Sequence, residues 1–490
     1  MSEDVNLHLQ LARAHTRRQF LKNCQLGIGS IALATLLNRR GAAGETTADT
    51  TKPASSHEPH FAAKARSVIY LHMSGAPPQH ELFDYKPELV KHHMQPCPDE
   101  LLKGQRFPFI KGHPKLLGTP FKFKQYGKSG AWVSELLPQF SKQVDDVAIV
   151  KSMYTDQFNH APAELFIYTG SSRAGGAALG SWITYGLGSE NENLPGFVVL
   201  ISGGTDPTGG KALWSTGFLP SDYQGVQCRT SGEPILYVND PKGMDRGVRR
   251  RSLDALRRLN EFELQQFGDP ETLTRISQYE LAFRMQMAVP QVMDINQESK
   301  KTLEAYGAQP GGSSLANNCL LARRLVERGV RYVQLYDWGW DIHGTGPGDD
   351  IVNQLPKKCK EMDRPVAALL RDLKARGLLD QTLVIWGGEF GRTSMNEARG
   401  GSKYLGRDHH PHCFTIWLAG AGIKKGVTLG ATDDLGYFIT QGKMGVHDLQ
   451  ATILHLLGLD PWKFAYSYQG LQQRLIGPEG DAQVRQEILA

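Results

Sequence analysis

The sequence predicts an α/β protein: a mainly parallel sheet sandwiched by helices, with a helical insertion. Three observations predict it. Short β-branched apolar runs alternate with helical stretches. The runs are apolar at consecutive positions, as in strands buried on both faces. Glycines and polar residues adjoin several of the runs, where ligands sit in open α/β sheets.

The elements follow in chain order. Ser67–Met73 (SVIYLHM) is a strand that ends at Ser74-Gly75. Val147–Met153 (VAIVKSM) is a second, and Phe197–Ile201 (FVVLI), set between Pro195-Gly196 and Gly203-Gly204, a third. Residues 248–288 read as charged helix, with Leu253, Leu256, Leu259 and Phe262 at three-residue steps. Leu315–Arg328 reads as a helix feeding the strand Arg331–Tyr336. Residues 361–377 form a helix leading into the strand Thr382–Trp386, and Cys413–Leu418 is a further strand. Val446–Leu457 is an amphipathic helix with Val446, Leu449, Ile453, Leu456 and Leu457 on one face. The body is assigned to 63–475, with 205–310 as the helical insertion and 476–490 as a C-terminal tail. There is no internal repeat.

The N-terminus reads as an address. Thr16-Arg17-Arg18-Gln19-Phe20-Leu21-Lys22 precedes the apolar run Leu26–Leu37 and the small residues Ala42, Ala43 and Gly44. This is the layout of a secretory signal, and the paired arginines resemble the twin-arginine export signal. The segment 1–43 is expected to engage the twin-arginine machinery and send the chain to the periplasm or beyond. Residues 44–62 read as a polar linker. No later run reaches the roughly 18 apolar residues of a membrane span.

Net charge is +5, but six basic and two acidic side chains fall within 1–43, which leaves +1 for the rest. A body so nearly neutral argues against nucleic acid as a partner, which needs a basic patch or stripe. The six cysteines include no CxxC pair, so neither a zinc ribbon nor a disulfide framework is indicated.

Chemistry-bearing residues gather beside the strands. Strand 331–336 runs into Asp337-Trp338-Gly339-Trp340-Asp341-Ile342-His343. Strand 382–386 runs into Gly387-Gly388-Glu389-Phe390-Gly391-Arg392. Gly406-Arg407-Asp408-His409-His410-Pro411-His412 lies just before strand 413–418, and Asn159-His160 follows strand 147–153. Imidazole and carboxylate at short spacing suit a divalent metal such as zinc, manganese or iron. Hydrogen bonding within a polar loop, with Asp341 capping a turn, accounts for the same spacing. Arg392 and Arg407 suit an oxyanion clamp, or pair with nearby carboxylates. Tyr336, Trp338 and Trp340 suit stacking on a sugar ring, or core packing.

At these residues the chain resembles the alkaline phosphatase and sulfatase superfamily, and within it the sulfatase-related family of domains of unknown function numbered 1501. Leu370–Phe390 (LRDLKARGLLDQTLVIWGGEF) is similar to the sulfatase helix–strand pattern that ends in Asp-His-Gly. Val446–Leu459 (VHDLQATILHLLGL) is similar to a late sulfatase helix, and Gly406–His409 (GRDH) resembles a metal-binding turn of the phosphomutase branch. His160–Gly170 (HAPAELFIYTG) has the length of the sulfatase signature C-x-P-x-R-x-x-x-x-T-G, with Pro162, Thr169 and Gly170 in register.

The resemblance implies a sulfatase-like fold and a divalent metal, with calcium added to the candidates. It also implies a hydrolase of sulfate or phosphate esters, glycan-linked substrates among them. His160 stands where that family has its nucleophile and Glu164 where it has an arginine, so the formylglycine route is not expected. Ser74 replaces an acidic ligand, and Glu389-Phe390 replaces Asp-His. The expected metal ligands are Asp341, His343, Glu389, His409, His410 and His412. His160, Glu389 and Arg392 are the expected catalytic residues. Arg407, Asn159 and Gln79 are the expected substrate contacts, with Asp84 on the same loop as Gln79. The alternative is a non-catalytic protein that binds anionic glycans on a degenerate sulfatase-like fold.

Overall fold

The computed structural model describes residues 58–104, 107, 109–235, 245–267, 271–478 and 481–490. The export segment 1–43 and the linker up to residue 57 lie outside them. Among the described residues nine strands form the central sheet: β1 Ser67–Ser74, β2 Val147–Tyr154, β3 Phe197–Ser202, β4 Val226–Gln227, β5 Tyr332–Trp338, β6 Thr382–Gly387, β7 Phe414–Ala419, β8 Val427–Leu429 and β9 Met444–Gly445. Their order is β8-β2-β7-β6-β1-β5-β3-β4, with β9 also on β2. The pairings of β1 with β5 and β6, of β3 with β4 and β5, and of β8 and β9 with β2 are parallel. Only β7 runs against its neighbours, β2 and β6.

The apolar runs become strands because the sheet is covered on both faces. Along β1, Ile69, Leu71 and Met73 enter one core. Val68 and Tyr70 enter the other, as the two-residue period of a strand requires. The longer helices are α1 His160–Thr169, α2 Leu179–Leu187, α3 Arg246–Phe267, α4 Glu271–Met293, α5 Leu315–Glu327, α6 Gln354–Ala375 and α7 Val446–Leu456. Side chains of α5 and α6 fill the first core; those of α1, α2 and α7 fill the second. In α1, Pro162 occupies the first turn, where no intrahelical N–H is needed, and Gly170 ends the helix in the left-handed region.

The helix expected over 248–288 is two helices, α3 and α4. Leu253 is buried, but Leu256, Leu259 and Phe262 face outward, so the three-residue steps do not mark one buried stripe. Within 205–310, β4 joins the edge of the sheet. In the C-terminal residues Ile476 and Ile488 are buried, and the Ala490 amide donates to Gly422 O. No helix among the described residues is long and apolar enough to cross a membrane.

Candidate metal centre

The reversal of β7 positions the site. In a fully parallel sheet a loop preceding a strand lies at the amino edge. Because β7 runs backwards, residues 406–412 instead arrive at the carboxyl edge, beside the ends of β1, β5 and β6. Two glycines allow the close approach. A Cβ on Gly75, which has φ +105°, would lie 2.4 Å from the Asp341 amide nitrogen. One on Gly406 would lie 1.9 Å from the His343 carbonyl carbon.

Four side chains from two loops and a helix start converge there. His160 Nε2 is 3.3 Å from Asp341 Oδ1, His343 Nε2 2.8 Å and His409 Nε2 3.4 Å. One ligand atom from each residue lies within 4.8 Å of the others. Each ring is held through its other nitrogen. Nδ1 of His160 lies 2.5 Å from Glu389 Oε1, that of His343 contacts the Glu397 carboxylate, and that of His409 lies 2.7 Å from Phe158 O. In the neutral tautomer that carries its proton on Nδ1, each ring donates to its acceptor and turns an Nε2 lone pair towards one point. Histidines that ligate metals are oriented in this way. Nε2 of His160 is buried without a hydrogen-bond partner, and the donor set fits a small divalent ion. Three imidazoles and one carboxylate suit zinc, iron or manganese; calcium, which takes oxygen ligands, does not fit.

The electrostatics balance locally. Burial opposes charge on Asp341, but Arg392 and the three rings hold its carboxyl far below the usual range. Burial also opposes charge on His160, yet Asp341 and Glu389 raise it to about 9. Burial, partly offset by Asp341, lowers His409 to about 4. The Asp341 side chain remains 22% exposed, which leaves an approach from solvent. Phe109 stands edge-on to the rings of His343 and His409, at 5.4 and 5.7 Å between centroids. The Arg399 guanidinium lies 3.9 Å over the Phe109 ring.

Several sequence expectations are corrected here. Glu389 lies outside the four-residue cluster, where it accepts from the His160 ring and from the amides of Gly75 and Ala76, and falls instead in a second group with His72 and Glu164. His410 turns away to Tyr437 O, at 2.6 Å, and packs against the Tyr437 ring at a tilt of 35°. His412 packs towards Phe438 and is also outside the cluster. Arg407 is fully buried against Glu81, at 2.5 Å, and donates to the carbonyls of Thr393 and Leu117, so it clamps no substrate. All three nitrogens of Arg392 donate to the protein, to Ala76 O, Arg407 O and Gly75 O, with Asp341 at 2.5 Å. Gln79 is buried and clasps the backbone of Arg392 through both ends of its amide. Asp84 is buried and bonds Thr432. Asn159 is exposed at the start of α1, where its carbonyl accepts from the Ala163 amide. Tyr336 and Trp340 are buried, which leaves Trp338 half-buried at 6.4 Å from the His160 ring.

Sequence reading missed His72, Glu397 and Phe109. His72 is the one signal it could have used, a charged-capable residue in the middle of the apolar run 67–73. Glu397 and Phe109 lie in segments with no pattern that sets them apart.

No curated protein matches the chain. Among solved structures, a sulfatase from Pseudoalteromonas sp. is 11% identical, with 81% of this chain and 68% of that one covered, at a TM-score of 0.33. A lipoteichoic acid synthase from Listeria monocytogenes is 10% identical, with 91% and 80% covered, at 0.34. A protein in the alkaline phosphatase superfamily from Vibrio parahaemolyticus is 10% identical, with 84% and 74% covered, at 0.34. Scores below 0.5 carry no weight for activity. A family model does match almost the whole body, over residues 65–489, and on that match the chain belongs to the family described as Protein of unknown function (DUF1501).

Proposed function

We propose that this chain is an exported, metal-dependent hydrolase of sulfate or phosphate esters, glycan-linked esters among them. The observation that carries the reading is the convergence of three imidazole Nε2 atoms and one carboxylate at a solvent-reachable point on the carboxyl edge of the sheet. His160, Asp341, His343 and His409 would hold the ion. A divalent ion there would supply a bound water with its pKa lowered to about 7, hence hydroxide at neutral pH. The other residues orient and enclose. Glu389 and Glu397 fix two of the rings. Phe109 beside His343 and His409, and Trp338 beside His160, place apolar rings next to the cluster. Arg399, with its side chain 37% exposed and Nη2 3.1 Å from His343 Nδ1, is a part-exposed cation beside the cluster for a sulfuryl or phosphoryl oxygen. The formylglycine route is not part of the reading, because none of the six cysteines lies in a C-x-P-x-R motif and His160 stands at the nucleophile position. The paired Arg17-Arg18 and the apolar run Leu26–Leu37 support twin-arginine export.

A second reading, a non-catalytic binder of anionic glycans, is favoured by one feature of the same site. Four protein donors close a tetrahedral ion, whereas catalytic zinc keeps an open position. Purified chain should carry metal in this cluster, and Asp341→Ala and His409→Ala should each remove it. A screen of aryl sulfates and aryl phosphates then separates the readings. Turnover that disappears in both variants supports the hydrolase. No turnover with any divalent metal supports the binder, and absence of metal from native protein rejects the hydrolase.

A further inference from the structure

Behind the first cluster lies a second. His72 on β1, Glu164 on α1 and Glu389 at the end of β6 are all fully buried, and one ligand atom from each lies within 4.8 Å of the others. The fold dictates this meeting. His160 and Glu164 are four residues apart on α1 and share a face. That face packs on the side of β1 that carries Val68, Tyr70 and His72.

Two carboxylates buried together need a positive charge. Part of each is satisfied. Glu164 Oε2 accepts from the Thr208 hydroxyl and the Gly209 amide, at 2.7 and 2.6 Å. Glu389 accepts from the amides of Gly75 and Ala76, at 2.9 and 3.3 Å, and from His160. Of the atoms that face one another, Glu389 Oε2 has only the Ala76 amide, and the rest make no hydrogen bond. His72 Nε2 stands 3.3 Å from Glu389 Oε2 and 3.6 Å from Glu164 Oε1. Both His72 nitrogens and Glu164 Oε1 have no hydrogen-bond partner. Both contacts are within ion-pair reach, but neither has hydrogen-bond geometry. Donors sharing one ion at metal–ligand bonds of about 2.0–2.1 Å stand roughly 3.3 Å apart at tetrahedral angles.

We propose that His72, Glu164 and Glu389 hold a second divalent cation, sealed inside the fold and out of reach of substrate. One imidazole and two carboxylates suit zinc, manganese or iron. With every donor at zero exposure, the ion is taken up as the chain folds and leaves only when it unfolds. Glu389 joins the two centres: one oxygen faces the buried ion and the other holds His160. The buried ion thus fixes the carboxylate that orients a ligand of the outer one. The proposal does not depend on whether the outer centre is catalytic.

The test is metal content by elemental analysis of the full chain purified without chelator, then after dialysis against EDTA, then after unfolding in guanidinium with EDTA. The expected sequence is two equivalents, then one, then none. Glu164→Gln and His72→Asn should lose the chelator-resistant equivalent and bind the outer metal about 10–100-fold more weakly. Asp341→Ala should lose only the labile one. A single labile equivalent, with the His72 ring doubly protonated in nitrogen NMR spectra, overturns the buried site and leaves the outer one standing. A single resistant equivalent, lost in Glu164→Gln, overturns the outer site instead. Should the core variants fail to fold, anomalous scattering from wild-type crystals at the metal edge decides, because one peak only, at Asp341, rejects the proposal.

Discussion

Glu397 shows how much of the site rests on side chains that touch no ligand. It is buried, and its carboxylate takes the proton on Nδ1 of His343. Glu397→Gln keeps the shape and weakens the acceptor; Glu397→Ala removes it. Metal affinity, read by competition with a chromogenic chelator, should fall about 10–100-fold in Glu397→Ala and less in Glu397→Gln. Equal affinities in wild type and both variants would remove Glu397 from the account. Arg407 makes the opposite point. Its guanidinium pairs with Glu81 where neither side chain is exposed. Arg407→Ala should cost about 3–5 kcal/mol of stability, because it leaves a buried carboxylate alone. Chemical denaturation measures this, and a loss below about 1 kcal/mol, the range of an exposed pair, would contradict the buried pairing with Glu81. His80 sets a pH dependence away from the metal. Burial first, then the charge of Arg407, holds its pKa well below 6.5, with Nε2 3.0 Å from Gly436 O. The unfolded ring takes a proton below about pH 6.5 and the folded ring does not. Its contribution is therefore complete above that pH and is lost as the pH falls below it. The drop in melting temperature from pH 7 to pH 5 should be smaller in His80→Gln than in wild type; an equal drop contradicts the assignment.

At the scale of elements, the apolar runs were legible and their pairing was not. β1, β2, β3 and β6 match the runs read from sequence within a residue or two at each end, because a strand buried on both faces has to be apolar throughout. The short strands β4, β8 and β9 carry no such run; their pairing partners make them strands. The reversal of β7 was equally hidden, since local composition is the same in either direction. Yet it brings His409 to the carboxyl edge, beside Asp341 and His343. The candidate site was legible in part for a related reason. Asp341, His343 and His409 stand out as short polar clusters in glycine-rich loops. Glu397 and Phe109 do not, because distant residues give them their roles. His410 and His412 share the cluster signal but point elsewhere, since neighbouring residues in an extended segment face opposite ways. The loops meet at Gly406, so Gly406→Ala should push the His343 and His409 segments apart. The expected outcome is loss of the labile metal with the circular dichroism of the fold retained. Full metal occupancy in this variant would show that the two backbones do not touch.

For the whole molecule, net charge is a poor guide to what the site attracts. Most of the +5 lies within residues 1–43, and the remainder is close to neutral. Attraction for an anionic ester then comes from a bound cation and from Arg399, not from a long-range field. Raising the salt from 50 to 200 mM should change substrate affinity less than threefold; a tenfold fall would point to a distributed basic surface instead. The family relationship was legible because it rests on segments spread over the body, including Val446–Leu459, whose α7 residues Val446, Leu449, Ile453 and Leu456 are buried. The central claim is that His160, Asp341, His343 and His409 hold a metal ion. Anomalous diffraction from crystals of chelator-free protein, collected at the zinc, iron and manganese edges, tests it most directly. The account predicts a peak about 2 Å from the three Nε2 atoms and from an Asp341 oxygen. No peak at that point, with Asp341 paired only to Arg392 and the three rings, would contradict it.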